Sequence, residues 1–211
     1  MGSDDIFKKR KQGGNKSIKR GKPHKIPKNV ILIVCEGKTE KNYFTSLRDF
    51  LKLTSVKIEI QHSKKTNPMG IYNSTLSDKQ RNEYDEIYCV FDRDTHNDFD
   101  EALKSIEKDK KCKAIVSDPC FEFWILLHFT QTNRVFVGKS PCKALQNTRE
   151  FKQNIPNYAK GTYNFQVIIQ ERLDTATTHA KAINQHNETQ RQSPYTQVVN
   201  LVERLKQPQQ F

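Results

Sequence analysis

From Asn29 the chain alternates between short apolar runs and longer amphipathic stretches. NVILIVC (29–35) is continuous, apolar and rich in β-branched residues, the pattern of a strand buried on both faces of a sheet. In the following EGKTEKNYFTSLRDFLKL, Tyr43, Phe44, Leu47, Phe50 and Leu51 recur at helical spacing, with Thr39 placed as N-cap. VKIEI (56–60) alternates as a second strand, and residues 62–85 are polar, a loop with one helix. EIYCVF (86–91) predicts a third strand, DFDEALKSIEK (98–108) a helix capped by Asp98 or Asp100, and CKAIVS (112–117) a fourth strand. Asp118 and Pro119 then read as an N-cap followed by proline at the first helical position. They open CFEFWILLHF, a helix apolar nearly all round and therefore buried.

Strands and helices alternating at this spacing predict right-handed βαβ units, hence an α/β domain over 29–130 with a parallel four-stranded sheet flanked by helices. Beyond it, residues 131–211 are Gln/Asn-rich and predict a helical extension with helices over 140–151, 164–185 and 194–206. The last carries Val198, Val199, Leu201, Val202 and Leu205 as an apolar stripe that should pack back on the domain. Ligands of parallel sheets gather at the carboxyl ends of the strands. Glu36 directly follows the first strand, and Asp92 and Asp94 directly follow the third.

Charge adds a second feature. The net +12 is concentrated in residues 1–28, where ten Lys/Arg stand against Asp4 and Asp5, a net +8. A flexible basic arm attracts nucleic acid by counterion release without reading sequence; the alternative is a solubilising, disordered tail. No apolar run approaches the roughly 20 residues of a membrane span, and no apolar segment follows the basic start as a secretory signal requires. Five cysteines without a CxxC pair argue against a disulfide framework or a zinc site and predict a reducing cytoplasm. Cys35 and Cys89, inside apolar runs, are expected as core thiols.

In YCVFDRDTH (88–96), two carboxylates end an apolar strand, and like charges so close repel unless a cation lies between them. Residues i and i+2 of an extended segment point the same way, so Asp92 and Asp94 can share an ion while Arg93 faces elsewhere. Mg²⁺ takes oxygen ligands, few of them carboxylates, and keeps positions for water and phosphate. If the first and third strands are neighbours, Glu36 joins the same site. The segments VILIVCEGKTEKNYF, IYCVFDRDTH and VSDPCFEFWILLHF, in this order, resemble the RloB-like family, small Toprim-domain proteins of bacterial phage-defence loci often encoded beside an ATPase. The resemblance implies a Toprim (Rossmann-like) fold and a metal site of Glu36, Asp92 and Asp94 holding Mg²⁺ or Mn²⁺. It also implies a nuclease acting on RNA or DNA in antiphage defence (abortive infection), with an ATPase encoded alongside as a candidate partner. The rival reading is a non-catalytic Toprim sensor or partner module.

Other residues carry a functional and a plain reading each. Glu40, one turn after Glu36, is an outer-shell ligand or base, or a helix-start charge suited to the dipole. Lys38 at the same helix start touches phosphate, or is an exposed lysine. Arg93 is a phosphate-binding candidate within the DRD motif. Glu122, in the first turn of an apolar helix where an unpaired carboxylate is costly, joins the metal site or bonds free amides of its own helix. Lys160 in NYAKGTY is placed to reach a phosphate. His96 is an acid–base candidate or a loop histidine; His128 is expected as a satisfied core histidine, and His179 and His186 as surface groups. No tyrosine in the motif region stands out as a covalent nucleophile, which argues against strand passage.

Overall fold

The computed structural model describes residues 30–60, 67–79, 81–93, 97–190 and 192–207. The basic arm, Asp94 and His96 lie outside these residues. Five strands form one sheet in the order β2-β1-β3-β4-β5: β1 (Ile31–Cys35), β2 (Val56–Ile60), β3 (Glu86–Asp92), β4 (Cys112–Asp118) and β5 (Tyr195–Thr196). The first four run parallel, and β1 and β3 are neighbours, with Cys35 opposite Val90. The expected alternation of strands and helices supplies α1 (Lys38–Phe50), α2 (Pro68–Ser77), α3 (Phe99–Lys108) and α4 (Phe121–Leu127). Then follow α5 (Pro141–Gln146), α6 (Arg149–Asn154), α7 (Gln166–Gln190) and α8 (Val198–Lys206).

Alternate residues of the strands divide between two cores, as the pleat requires. Ile31, Ile33, Cys35, Tyr88, Val90 and Ile115 pack with residues of α1, α4, α7 and α8. Leu32, Val34, Ile87, Cys89, Phe91 and Val116 pack with Ile71 and Tyr72 of α2 and Phe99 and Ile106 of α3. Every residue of β1 is buried, which explains its unbroken apolar sequence. The stripe of α8 is buried throughout, and Arg204 ties that helix to Glu86 at the start of β3. Cys35 and Cys89 are buried as core thiols.

The sheet is mixed rather than purely parallel. Tyr195–Thr196, expected as the start of the last helix, forms a fifth strand antiparallel to β4. Two residues carry no periodicity to read; they are fixed by tertiary partners. Ser117 Oγ and Thr196 Oγ1 hydrogen-bond at 2.8 Å. On the other side the Asn184 amide of α7 acts as a further strand, donating to Thr196 O at 2.6 Å and accepting from Thr196 N at 3.1 Å. This covers an edge that would otherwise be open for pairing.

Three caps differ from expectation. The N-cap of α1 is Gly37, not Thr39; Thr39 Oγ1 instead accepts from Gly161 N at 3.0 Å. Asp98 stands at the N-cap position of α3, but its carboxylate turns to Asn67 and to the Met69 amide at the start of α2. Asp118 remains in β4, because pairing with Tyr195 extends that strand, and Cys120 holds the N-cap position of α4. The predicted helix 140–151 breaks in two where Thr148 Oγ1 accepts from Phe151 N at 3.2 Å and restarts it as α6. Among the described residues no helix is long and apolar enough to cross a membrane.

Candidate metal centre at the carboxyl ends of β1 and β3

Because β1 and β3 are adjacent and parallel, the residues that follow them emerge side by side. Glu36 N donates to Val90 O at 3.0 Å, and the Asp92 amide donates to Glu36 Oε2 at 3.2 Å. One strand end thus positions the carboxylate of the other. Asp92 Oδ1 accepts from the Phe121 amide at 2.8 Å, so the cap of α4 comes across the sheet from β3. That bond draws the buried helix, and Glu122 with it, to the same edge.

Glu40 lies one turn into α1 and is buried. Its Oε2 folds back over Gly37, where a Cβ would stand 2.8 Å from that oxygen and would push the carboxylate aside. Among the described residues Glu40 Oε2 has no hydrogen-bond partner, an unusual state for a buried carboxylate oxygen. Glu122 is 1 % exposed, yet its Oε1 accepts from Gln146 Nε2 and Tyr158 Oη, both at 3.0 Å, with Lys160 Nζ at 3.9 Å. It therefore bonds side chains of the C-terminal segment rather than amides of its own helix.

The four carboxylates act on one another electrostatically. Burial, then the charges of Glu40, Glu36 and Glu122, push Asp92 well above the usual carboxylate range, against the pull of Lys160. Burial likewise lifts Glu40 to about 7, partly offset by its own backbone amide and reinforced by Glu36 and Glu122. Burial opposes the Lys160 ammonium, but Glu122, Asp92, Glu40 and Glu36 outweigh it and raise its pKa. The loop bearing Tyr158 and Lys160 is held against α1 by Gly161, whose amide reaches Thr39 and whose carbonyl accepts from Asn42 Nδ2 at 2.9 Å.

The remaining candidates separate from the cluster. Arg93 Nε is 3.6 Å from Asp118 Oδ2 and its guanidinium lies 5.7 Å from the Phe99 ring centroid, on the α3 side of the sheet. Lys38 is exposed at the start of α1. His128 is fully buried between Tyr43 Oη at 3.1 Å and Trp124 O at 3.0 Å, and burial lowers its pKa to about 4, as befits a core histidine. His179 is not a surface group: its Nδ1 is 2.8 Å from Leu127 O, joining α7 to the end of α4. The side chain of His186 lies outside the described residues.

Sequence reasoning missed Tyr158 and Gln146, and it missed a disulfide between Cys120 and Cys142. Gln146 follows Cys142 by one helical turn, but nothing in sequence links either to Glu122, 20 or more residues away. Against known families, the model described as RloB-like protein matches residues 31–205. Comparison with curated proteins and with solved structures returned no match.

Proposed function

Since the chain belongs to the RloB-like family, we propose that the acid cluster is the divalent-metal site of a Toprim-type nuclease that hydrolyses RNA or DNA in antiphage defence. The observation that carries this reading is that Glu36, Glu40, Asp92 and Glu122, from four segments, lie within electrostatic reach of one another, with Glu40 Oε2 buried and unpartnered. An all-oxygen donor set suits a hard cation of the Mg²⁺ or Mn²⁺ class. Without one, burial first and then the neighbouring carboxylates favour the protonated forms of Asp92 and Glu40, with Lys160 as a partial counterweight.

Glu36 and Asp92 would hold the ion, with Asp94 two residues on and Glu40 beside them. When bound, such an ion neutralises phosphate charge and lowers the pKa of a water. The chain's own residues do the rest. Asp92 is fixed by the Phe121 amide and Glu36 by the Asp92 amide, so neither must reorganise when substrate enters. Tyr158 and Gln146 orient Glu122, the role that outer hydrogen bonds play around metal ligands. Lys160, partly exposed and facing the acids, offers its ammonium to a phosphate oxygen at the rim. The antiphage role and a partner ATPase belong to this reading through the family resemblance.

The test is incubation of the protein with labelled plasmid, single-stranded DNA and bulk tRNA, under Mg²⁺, Mn²⁺ or chelator, with and without a partner ATPase. Metal-dependent cleavage that chelator abolishes is expected. Metal-dependent binding without cleavage under every condition would assign the site to a sensor instead.

A further inference from the structure

Two cysteines beside the acid cluster form, with Glu122 of that cluster, a donor set of a different kind. Cys120, at the N-cap position of α4, Glu122 in its first turn, and Cys142 in α5 each present one ligand atom, and these atoms lie within 4.8 Å of one another. Cys120 and Glu122 are buried and Cys142 is half-buried, which leaves an approach on the α5 side. We propose that when the Cys120–Cys142 disulfide is reduced, Cys120, Glu122 and Cys142 bind a thiophilic divalent cation of the zinc class.

The division of labour between the two oxygens of Glu122 supports this. Oε1 takes the Gln146 and Tyr158 hydrogen bonds, the outer-shell support that orients a metal-binding carboxylate. Oε2 is left facing Cys142 Sγ at 3.2 Å. A disulfide sulfur carries no proton, so in the oxidised form that contact gives the buried oxygen no hydrogen bond. Reduction supplies a thiol there, and a metal supplies a cation. Cysteine thiolates and carboxylate oxygens are both zinc ligands, and two sulfurs with one carboxylate leave a fourth tetrahedral position for water, whereas the oxygen-only cluster next to it favours Mg²⁺ or Mn²⁺. The two sites share Glu122 and differ in softness.

The chemistry balances with a small dithiol as reductant. It gives two electrons and two protons to the S–S bond, leaving two thiols, and becomes a disulfide itself. Both thiols lose their protons on binding the metal. The inference stands apart from the nuclease reading, because its test reads ligation and not cleavage.

The experiment is titration of the reduced, desalted full-length protein with Co²⁺ under anaerobic conditions, followed by thiolate-to-cobalt charge-transfer absorption. One equivalent is expected to produce the band and Zn²⁺ to bleach it. Cys142→Ser, at a half-buried position, should lose the band, while Cys112→Ser, a thiol elsewhere in the core beside Arg81, should keep it. Absence of the band in the reduced wild type, or its persistence in Cys142→Ser, would overturn the proposal.

Discussion

At the residue scale, Asp92 is both a member of the acid cluster and the cap of α4. Asp92→Asn keeps an oxygen that can accept from the Phe121 amide and fixes the neutral state that burial and the charges of Glu40, Glu36 and Glu122 already favour there. The metal-free variant should melt at the wild-type temperature or above while losing cleavage. Asp92→Ala also loses the cap and should cost about 1 kcal/mol; equal destabilisation by Asn and Ala would make Asp92 purely structural. Glu40 gives a pH signature. Its folded pKa of about 7 lies above the ordinary 4.5, so the unfolded chain ionises first as pH rises, and stability drains away between those values. His128, held neutral with a pKa of about 4, acts in the opposite direction over an overlapping range. The difference between wild type and Glu40→Gln cancels the contribution of His128. Metal-free Glu40→Gln should match the wild type near pH 4 and exceed it by on the order of 3 kcal/mol near pH 8. A pH-independent difference would refute the shift. Glu36 and Asp92 were legible because an acid ending an apolar strand is visible in the sequence. The cap of α4 was not: Asp118-Pro119 has the right local signal, but β5 keeps Asp118 in the sheet and Asp92 supplies the bond from 29 residues away.

At the scale of elements, the site depends on the loop that carries Tyr158 and Lys160 across to α1. Gly161 makes that crossing with φ of +81°, and a Cβ there would stand 2.9 Å from Lys38 Cβ. Gly161→Ala is therefore strained twice, by backbone and by contact, and should cost roughly 1–2 kcal/mol. Because the loop also orients Glu122, the variant should need more metal for half-maximal cleavage; an unchanged metal requirement would detach the loop from the site. The four parallel strands, the helices between them and the buried face of α8 were all legible from periodicity. The short β5, the break between α5 and α6, and the Glu122 clamp were not. Each is fixed by side chains distant in sequence, namely Asn184, Ser117, Gln146 and Tyr158, or by a local cap at Thr148 that interrupts an otherwise helical pattern.

At the scale of the whole molecule, charge divides between a basic terminus and an acidic centre. Residues 1–28, outside the described structure, hold +8 of the net +12. If about five of their ten cations touch duplex phosphates, removing them should reduce the log–log salt slope of binding by about 4 to 5. The arm contains no residue of the cluster, so the chemistry should survive its removal; an unchanged slope would mark it as inert. What the acid cluster itself does is decided most directly by Mn²⁺ binding, measured by electron paramagnetic resonance on the wild-type protein and on Glu36→Gln. Saturable binding by the wild type, weakened at least tenfold in the variant, is the predicted result. Equal affinity in the two proteins, or no saturable binding in the wild type, would contradict a metal centre at the ends of β1 and β3.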